Sequence, residues 1–115
     1  MENVSAITYE DFNRVEMRVG RIIKAEPFTK ARKPAYKLLV DFGDYGVRKS
    51  SAQITKLYSP DELVGRLVIA VTNFPPRQIA DFMSEVLVLG VALIDETEVV
   101  LIQPDREVPL GRRVF

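Results

Sequence analysis

The sequence predicts an all-β fold, a small barrel of five or six short strands with little helix. The chain has 115 residues, of which 47% are hydrophobic and 28% charged, so it can bury the core of a single domain spanning residues 1–115. Short apolar or alternating runs recur along it and are separated by turn residues. Helix-start signals occur in two short segments, which leaves strands as the main element.

The first half of the chain predicts a helical turn and three strands. Thr8 is followed three residues later by an acid, which is the spacing of a capping box. Residues 15–19 then alternate between apolar and polar and begin the first strand, and Gly20 interrupts it, as at a bulge or sharp bend. Residues 36–42 alternate as a half-buried strand, and residues 47–52 return as its hairpin partner.

The second half predicts a short helix and three further strands. Ser59 is an N-cap residue followed by a proline and then, three residues on, by a glutamate. Residues 67–72 form a continuous apolar strand that the prolines at 75–76 must end. Residues 85–93 and 99–103 give a fifth and a sixth strand. A helix between the third and fourth strands favours a five-stranded Greek-key OB-fold barrel with short helical turns and N- and C-terminal extensions.

Composition excludes several classes of chemistry. The chain has no Cys and no His, so disulfides, thiolate nucleophiles, Ser-His-Asp triads and His-based zinc sites are impossible. No carboxylate pair, phosphate loop or metal-ligand spacing stands out, and we expect no catalytic residue, no metal and no cofactor: a binding protein rather than an enzyme. The sequence lacks a signal pattern and a membrane-spanning apolar run, which favours the cytoplasm.

Charge is unevenly distributed in this neutral chain. Residues 18–37 hold seven basic side chains and one acid, a net charge of +6, whereas residues 81–115 net −4. The basic stretch is centred on the loop after the first strand, which borders the ligand groove in OB folds. Lys30, Arg32 and Lys33 are therefore candidate ligand-binding residues that would attract phosphates. The alternative is a solvated strand face and a soluble loop.

A second candidate is the segment after the fourth strand, where two prolines hold the backbone rigid. They present Asn73, Phe74 and Arg77 at a fixed angle, and the amide and guanidinium groups can bind phosphate or carboxylate. The alternative is a strand terminator with a buried Phe74. A third candidate is formed by Lys49, Ser51 and Ser84. Small hydroxyls let a ligand approach the backbone, although ordinary outward polar positions explain them as well.

Segments in the expected order carry a resemblance to a known family. Residues 18–26 (RVGRIIKAE), 58–68 (YSPDELVGRLV) and 104–114 (PDREVPLGRRV) resemble landmarks of the tRNA-binding OB-domain family. That family includes free-standing tRNA-binding proteins and domains appended to methionyl- and phenylalanyl-tRNA synthetases. Its members typically carry Gly-Met where this chain has Val86-Leu87.

A second set of segments resembles the CsaA-type branch of this family. They are residues 49–55 (KSSAQIT), 73–80 (NFPPRQIA) and 84–90 (SEVLVLG). The resemblance implies an export-related molecular chaperone that binds unfolded or preprotein polypeptide segments. In that role Arg77, Lys49 and the basic loop would steer acidic or extended segments. The family also implies a partner in the secretion machinery, such as the translocation ATPase. The alternative is a structure-dependent tRNA-binding protein that uses the same basic groove.

The resemblance also implies a homodimer. Apolar residues at the two ends of the chain exceed what a small barrel needs for closure, and a two-fold contact would bury them. The predicted interface residues are Ile7, Phe12, Leu110, Val114 and Phe115. The alternative is that these side chains plug the barrel ends of a monomer.

Overall fold

The computed structural model describes residues 4–115. The first element is a short helix, α1 (Tyr9–Asn13), which begins after Thr8. The Thr8 hydroxyl accepts a hydrogen bond from the backbone of Asp11, and the Asp11 carboxylate accepts one from the backbone of Thr8. This reciprocal arrangement is the predicted capping box, and it satisfies amide donors that a helix start leaves free.

Three antiparallel strands follow: β1 (Met17–Pro27), β2 (Tyr36–Asp41) and β3 (Val47–Ala52). A 3-10 turn at Gly43–Tyr45 connects the last two. The register of β1 against β2 shifts between Ile22 and Lys24, so the bulge lies there and not at Gly20 as predicted. A Cβ atom on Gly20 would lie 2.5 Å from Val40 and 2.7 Å from Phe42. Glycine is therefore needed at this position because two core side chains pack directly over the strand.

The second half contains more and shorter elements than predicted. They are α2 (Pro60–Leu63), β4 (Leu67–Val71), β5 (Arg77–Ile79), β6 (Phe82–Ser84), β7 (Leu87–Val88), β8 (Gly90–Ala92) and β9 (Val99–Leu101). Ser59 caps α2 with a second capping box, as predicted. The hairpin β5–β6 was missed. The strand predicted over residues 85–93 is divided in two, because β7 pairs with β4 and β8 pairs with β9.

The main sheet has the order β3-β2-β1-β4-β7, with β5–β6 and β8–β9 as two separate hairpins. The segment before β7 nearly closes the sheet onto β3, because the backbone amides of Glu85 and Val86 donate to the Lys49 carbonyl at 2.8 and 3.3 Å. A nearly closed antiparallel barrel with α2 between β3 and β4 is consistent with the OB fold. The predicted fold class is confirmed. No helix in residues 4–115 is long and apolar enough to cross a membrane.

Two apolar clusters stabilise the barrel. The first fills its interior and includes Ile22, Leu38, Val40, Phe42 and Leu63. The second lies on the other side of β1 and β4, where the C-terminal tail covers Val19, Leu67 and Ile69. The tail is held against β1 by backbone hydrogen bonds, including Val114 to Met17 at 2.9 Å.

Candidate functional site

The hairpin β5–β6 lies against β3 and forms one wall of the candidate site. Arg77 is opposite Ser84, and Ile79 is opposite Phe82, so these four side chains share one face of the hairpin. The Ser84 hydroxyl accepts a hydrogen bond from the backbone of Ser51 at 3.0 Å. This bond occupies an edge amide of β3 and joins the hairpin to the barrel.

A groove of about 770 Å³ runs between this hairpin and the barrel. The hairpin and the segment before it contribute Phe74, Pro75, Arg77, Ile79 and Ser84 to the lining, and the rest of the lining is formed by residues 51–54, 85–90, Glu96 and Val99. Four of the predicted ligand-binding residues line it, namely Ser51, Phe74, Arg77 and Ser84. Phe74 is 52% exposed rather than buried, so its ring is accessible to a ligand.

Three charged side chains line the groove, and they are of both signs. Arg77 belongs to the hairpin β5–β6, Glu85 directly follows it, and Glu96 lies in the loop between β8 and β9. Within residues 4–115 none of the three forms an ion pair. Glu85 accepts a hydrogen bond from the backbone of Lys49 at 2.9 Å, which holds its carboxylate in place. Neither glutamate was among the predicted ligand-binding residues, although Glu85 directly follows the predicted Ser84.

The predicted basic loop lies beside the hairpin but outside the groove lining. Lys30 pairs with Asp81 in the hairpin turn at 2.7 Å, and both side chains are more than half exposed. This contact raises the pKa of Lys30 and lowers that of Asp81. Arg32 and Lys33 are exposed, and no ion pair in the described part of the chain involves them.

Aromatic contacts hold the hairpin against the first strands. Phe82 packs edge-to-face on Phe28, with ring centres 5.4 Å apart. The ammonium group of Lys37 lies 4.9 and 5.3 Å from the centres of these two rings. Lys49, a predicted ligand residue, lies 5.5 Å from the centre of Phe82. Both lysines therefore make cation–π contacts within the chain. These two basic side chains thus help to hold the hairpin against the first strands.

Asn73, the remaining predicted ligand residue, does not line the groove. Its Oδ1 accepts a hydrogen bond from the backbone of Glu16 at 2.9 Å, and its Nδ2 donates to the carbonyl of Arg14 at 2.7 Å. The side chain thus ties the segment before β1 to the end of β4. Its role in ligand binding stays a prediction, and the geometry assigns it a structural role.

The charge count of residues 18–37 overstates the free positive charge. Arg18 pairs with Glu16, and Arg21 pairs with Glu107, each at 2.7 Å. Lys24 lies 4.0 Å from Glu26. The ion pair between Arg21 and Glu107 could not be predicted from the sequence, because the two residues are 86 positions apart.

The predicted interface residues fall into two groups. Ile7 and Phe115 are exposed, whereas Phe12 is half-buried. Leu110 and Val114 pack in the second apolar cluster of their own chain. A further apolar surface, which the prediction did not include, is presented by the hairpin β8–β9, where exposed Val91 lies opposite exposed Val100. Leu93, Ile94 and Ile102 are exposed beside this hairpin.

A family model described as "Putative tRNA binding domain" matches residues 17–113. Methionine–tRNA ligase of Archaeoglobus fulgidus is 36% identical over 114 residues, which cover 99% of this chain and 17% of the ligase. The ligase of Clostridium perfringens is 36% identical over 98 residues, covering 85% of this chain and 15% of the ligase. The chain thus spans less than a fifth of the length of these relatives.

Solved structures of similar length share the fold. Chaperone CsaA from Bacillus anthracis superposes with a TM-score of 0.90 at 46% identity, covering 96% of this chain and 100% of that chain. CsaA from Picrophilus torridus gives a TM-score of 0.87 at 50% identity, with 96% and 100% coverage. A MetRS-related protein from Pyrococcus horikoshii gives 0.85 at 30% identity, with 97% and 100% coverage.

Proposed function

Because this chain belongs to the tRNA-binding domain family and is similar to CsaA chaperones, we propose that it is an export-related chaperone that binds unfolded or preprotein segments. It acts as a binding protein and not as a catalyst. The groove between β3 and the hairpin β5–β6 is the proposed site. Phe74, Arg77, Ser51 and Ser84 contact the polypeptide there.

The observation that carries this proposal is the apolar groove with an exposed aromatic side chain in its wall. Phe74 and Ile79 line it together with Val86, Leu87 and other aliphatic residues. Its volume of about 770 Å³ falls in the range of ordinary ligand sites. Burying aliphatic or aromatic side chains of a ligand between these walls provides the affinity, since apolar contact scales with the area removed from water. Backbone and hydroxyl groups provide the hydrogen bonds of an extended segment.

The test is a fluorescence-anisotropy titration of an unfolded apolar peptide, at low and near-physiological salt. We expect saturable binding that persists in salt and weakens at least about fivefold in Phe74→Ser, because a fully used aromatic contact is worth more than about 1 kcal/mol. Tyr9→Ser is the matched control, since Tyr9 is exposed on α1, away from the groove lining. Equal losses in the two variants, or no saturable binding, contradict the proposal.

A second function, binding of structured tRNA, is favoured by the family and by the free cations of the basic loop. Arg32 and Lys33 are exposed, and Lys30 and Lys49 contact the hairpin β5–β6 through Asp81 and Phe82. Arg77 and Ser51 would add contacts in the groove, and Asn73 would add one from the position before Phe74. In this case bulk tRNA binds tightly at low salt, weakens steeply as salt rises and weakens again in Arg32→Ala/Lys33→Ala. Salt-insensitive or absent tRNA binding contradicts this second function.

We also propose a cytoplasmic homodimer that cooperates with the secretion machinery, such as the translocation ATPase. The support for a dimer is the exposed apolar surface of β8–β9 together with exposed Ile7 and Phe115. Contiguous apolar surface of this kind marks protein interaction sites. Phe12 is half-buried and adds a smaller contribution. Leu110 and Val114 act mainly through the second apolar cluster that supports the tail.

A further inference from the structure

We propose that the groove selects extended segments that combine apolar residues with at least one lysine or arginine. This inference rests on the proposed polypeptide-binding function and adds the class of ligand. It differs from the expectation that basic side chains steer acidic segments. The difference arises because two carboxylates line the groove itself, whereas two of the nearby lysines already contact other side chains of the chain.

The groove carries more unpaired negative than positive charge. Glu85 and Glu96 line it together with a single guanidinium, that of Arg77, and none of the three has an ion-pair partner in residues 4–115. The nearby cations are not equally available. Lys30 is paired with Asp81, and Lys49 lies over the ring of Phe82. A ligand in the groove therefore meets two free carboxylates and one free cation.

The surroundings affect the two carboxylates differently. The remaining lining is mainly aliphatic, and Glu85 is half-buried beside it, so a charge interaction there is stronger than at the exposed Glu96. Two carboxylates in such a groove repel phosphate and carboxylate groups of a ligand. They attract an ammonium or guanidinium group whose aliphatic stem can lie along the apolar wall, as long basic side chains do elsewhere.

Glu85 is the better positioned of the two carboxylates. Its Oε1 accepts a hydrogen bond from the Lys49 amide at 2.9 Å, which fixes the side chain against β3. Its neighbour Val86 is buried, and Ser84 is bonded to the barrel, so the backbone on both sides is fixed. Because this carboxylate is already ordered in the free protein, binding a cation costs it little further conformational entropy.

The experiment compares three labelled peptides of equal length and equal apolar content: one with two lysines, one uncharged and one with two glutamates. Each is titrated against the wild type, against Glu85→Gln/Glu96→Gln and against the control Glu10→Gln/Asp61→Asn, which removes the same charge outside the groove. Gln at position 85 keeps an oxygen that can accept the hydrogen bond from the Lys49 backbone amide, so the fold is retained. Circular dichroism checks that retention.

We expect the wild type to bind the lysine peptide roughly tenfold more tightly than the glutamate peptide, a difference of about 1.4 kcal/mol. Glu85→Gln/Glu96→Gln should reduce this affinity ratio to about two or less, and its affinity for the uncharged peptide should change little. The control variant should keep most of the wild-type ratio. A ratio near one in the wild type overturns the inference, as does an equal reduction in the control. In both cases binding of the uncharged peptide leaves the proposed function standing. If none of the three peptides binds, the proposed function fails as well.

Discussion

At the scale of single residues, Glu16 connects parts of the chain that are distant in sequence. Its carboxylate accepts hydrogen bonds from Arg18 Nε at 2.7 Å and from the Thr72 hydroxyl at 2.9 Å. Arg18 in turn donates to the carbonyl of Gly111 at 2.8 Å and lies 3.7 Å from the centre of the Tyr45 ring. One carboxylate thus supports the start of β1, the end of β4 and, through Arg18, the C-terminal tail.

These contacts predict how stability depends on pH. The Arg18 hydrogen bond, followed by that of Thr72, holds the pKa of Glu16 below its ordinary value of about 4.3. The folded state therefore binds fewer protons than the unfolded state in acid, and the stabilisation is present above the unfolded pKa and lost as pH falls through the folded one. We expect Glu16→Gln to lower the free energy of unfolding at pH 7 and to approach the wild type below about pH 4.

Urea unfolding measured in steps from pH 7 to pH 3 checks this expectation. Glu62, Asp81 and Asp95 also have lowered pKa values, but they are present in both proteins, so the difference between the curves isolates Glu16. Glu10→Gln is the control, because Glu10 is exposed on α1 and forms no ion pair with any described residue. A gap between Glu16→Gln and the wild type that stays constant with pH shows that the expectation is wrong.

At the scale of elements, the strands that follow a regular pattern were predictable and the hairpin β5–β6 was not. The alternation of residues 36–42 gave β2 to within one residue, and β3 has the predicted bounds. Its two strands have three residues each, which is too short for the alternation of apolar and polar residues to be recognised. Its turn is Ala80-Asp81, without the glycine that usually marks two-residue hairpins.

That turn contains the single non-glycine residue with a positive φ among residues 4–115, Ala80 at 53°. An alanine pays a steric cost in this left-handed region that a glycine does not. We expect Ala80→Gly to raise the free energy of unfolding by about 0.5–1 kcal/mol, measured by urea denaturation. Ala52→Gly, in a regular strand, is the control and should lower it by a similar amount. A decrease in both variants contradicts the interpretation.

At the scale of the whole molecule, sequence reasoning identified part of the candidate site and missed the ion-pair partners of its basic residues. Ser51, Phe74, Arg77 and Ser84 were recognised from local chemistry and do line one groove. The charges of Lys30 and Arg21 were counted as free, yet each is paired with an acid more than fifty positions away. Long-range pairing depends on the closed barrel, and no local pattern in the sequence reveals it.

The dimer proposal also belongs to this scale. We expect light scattering after size-exclusion chromatography to give twice the chain mass for the wild type. Val91→Glu/Val100→Glu should shift the protein towards the monomer, because two carboxylates would be buried side by side in the contact. Val64→Glu, at an exposed valine outside that surface, should leave the dimer intact. A monomeric wild type, or a β8–β9 variant that stays fully dimeric, overturns the proposed interface.

The way in which β5–β6 is attached has a consequence for how varied the ligands can be. No backbone-to-backbone hydrogen bond joins residues 77–83 to any other described part of the chain. The hairpin is attached instead by the Ser84 hydroxyl, the Lys30–Asp81 pair and the Phe28–Phe82 contact. Side-chain contacts of this kind tolerate small displacements that a strand ladder would resist. The wall can therefore shift by small amounts, and if the groove binds polypeptide as proposed, this favours tolerance of many sequences over strict recognition of one.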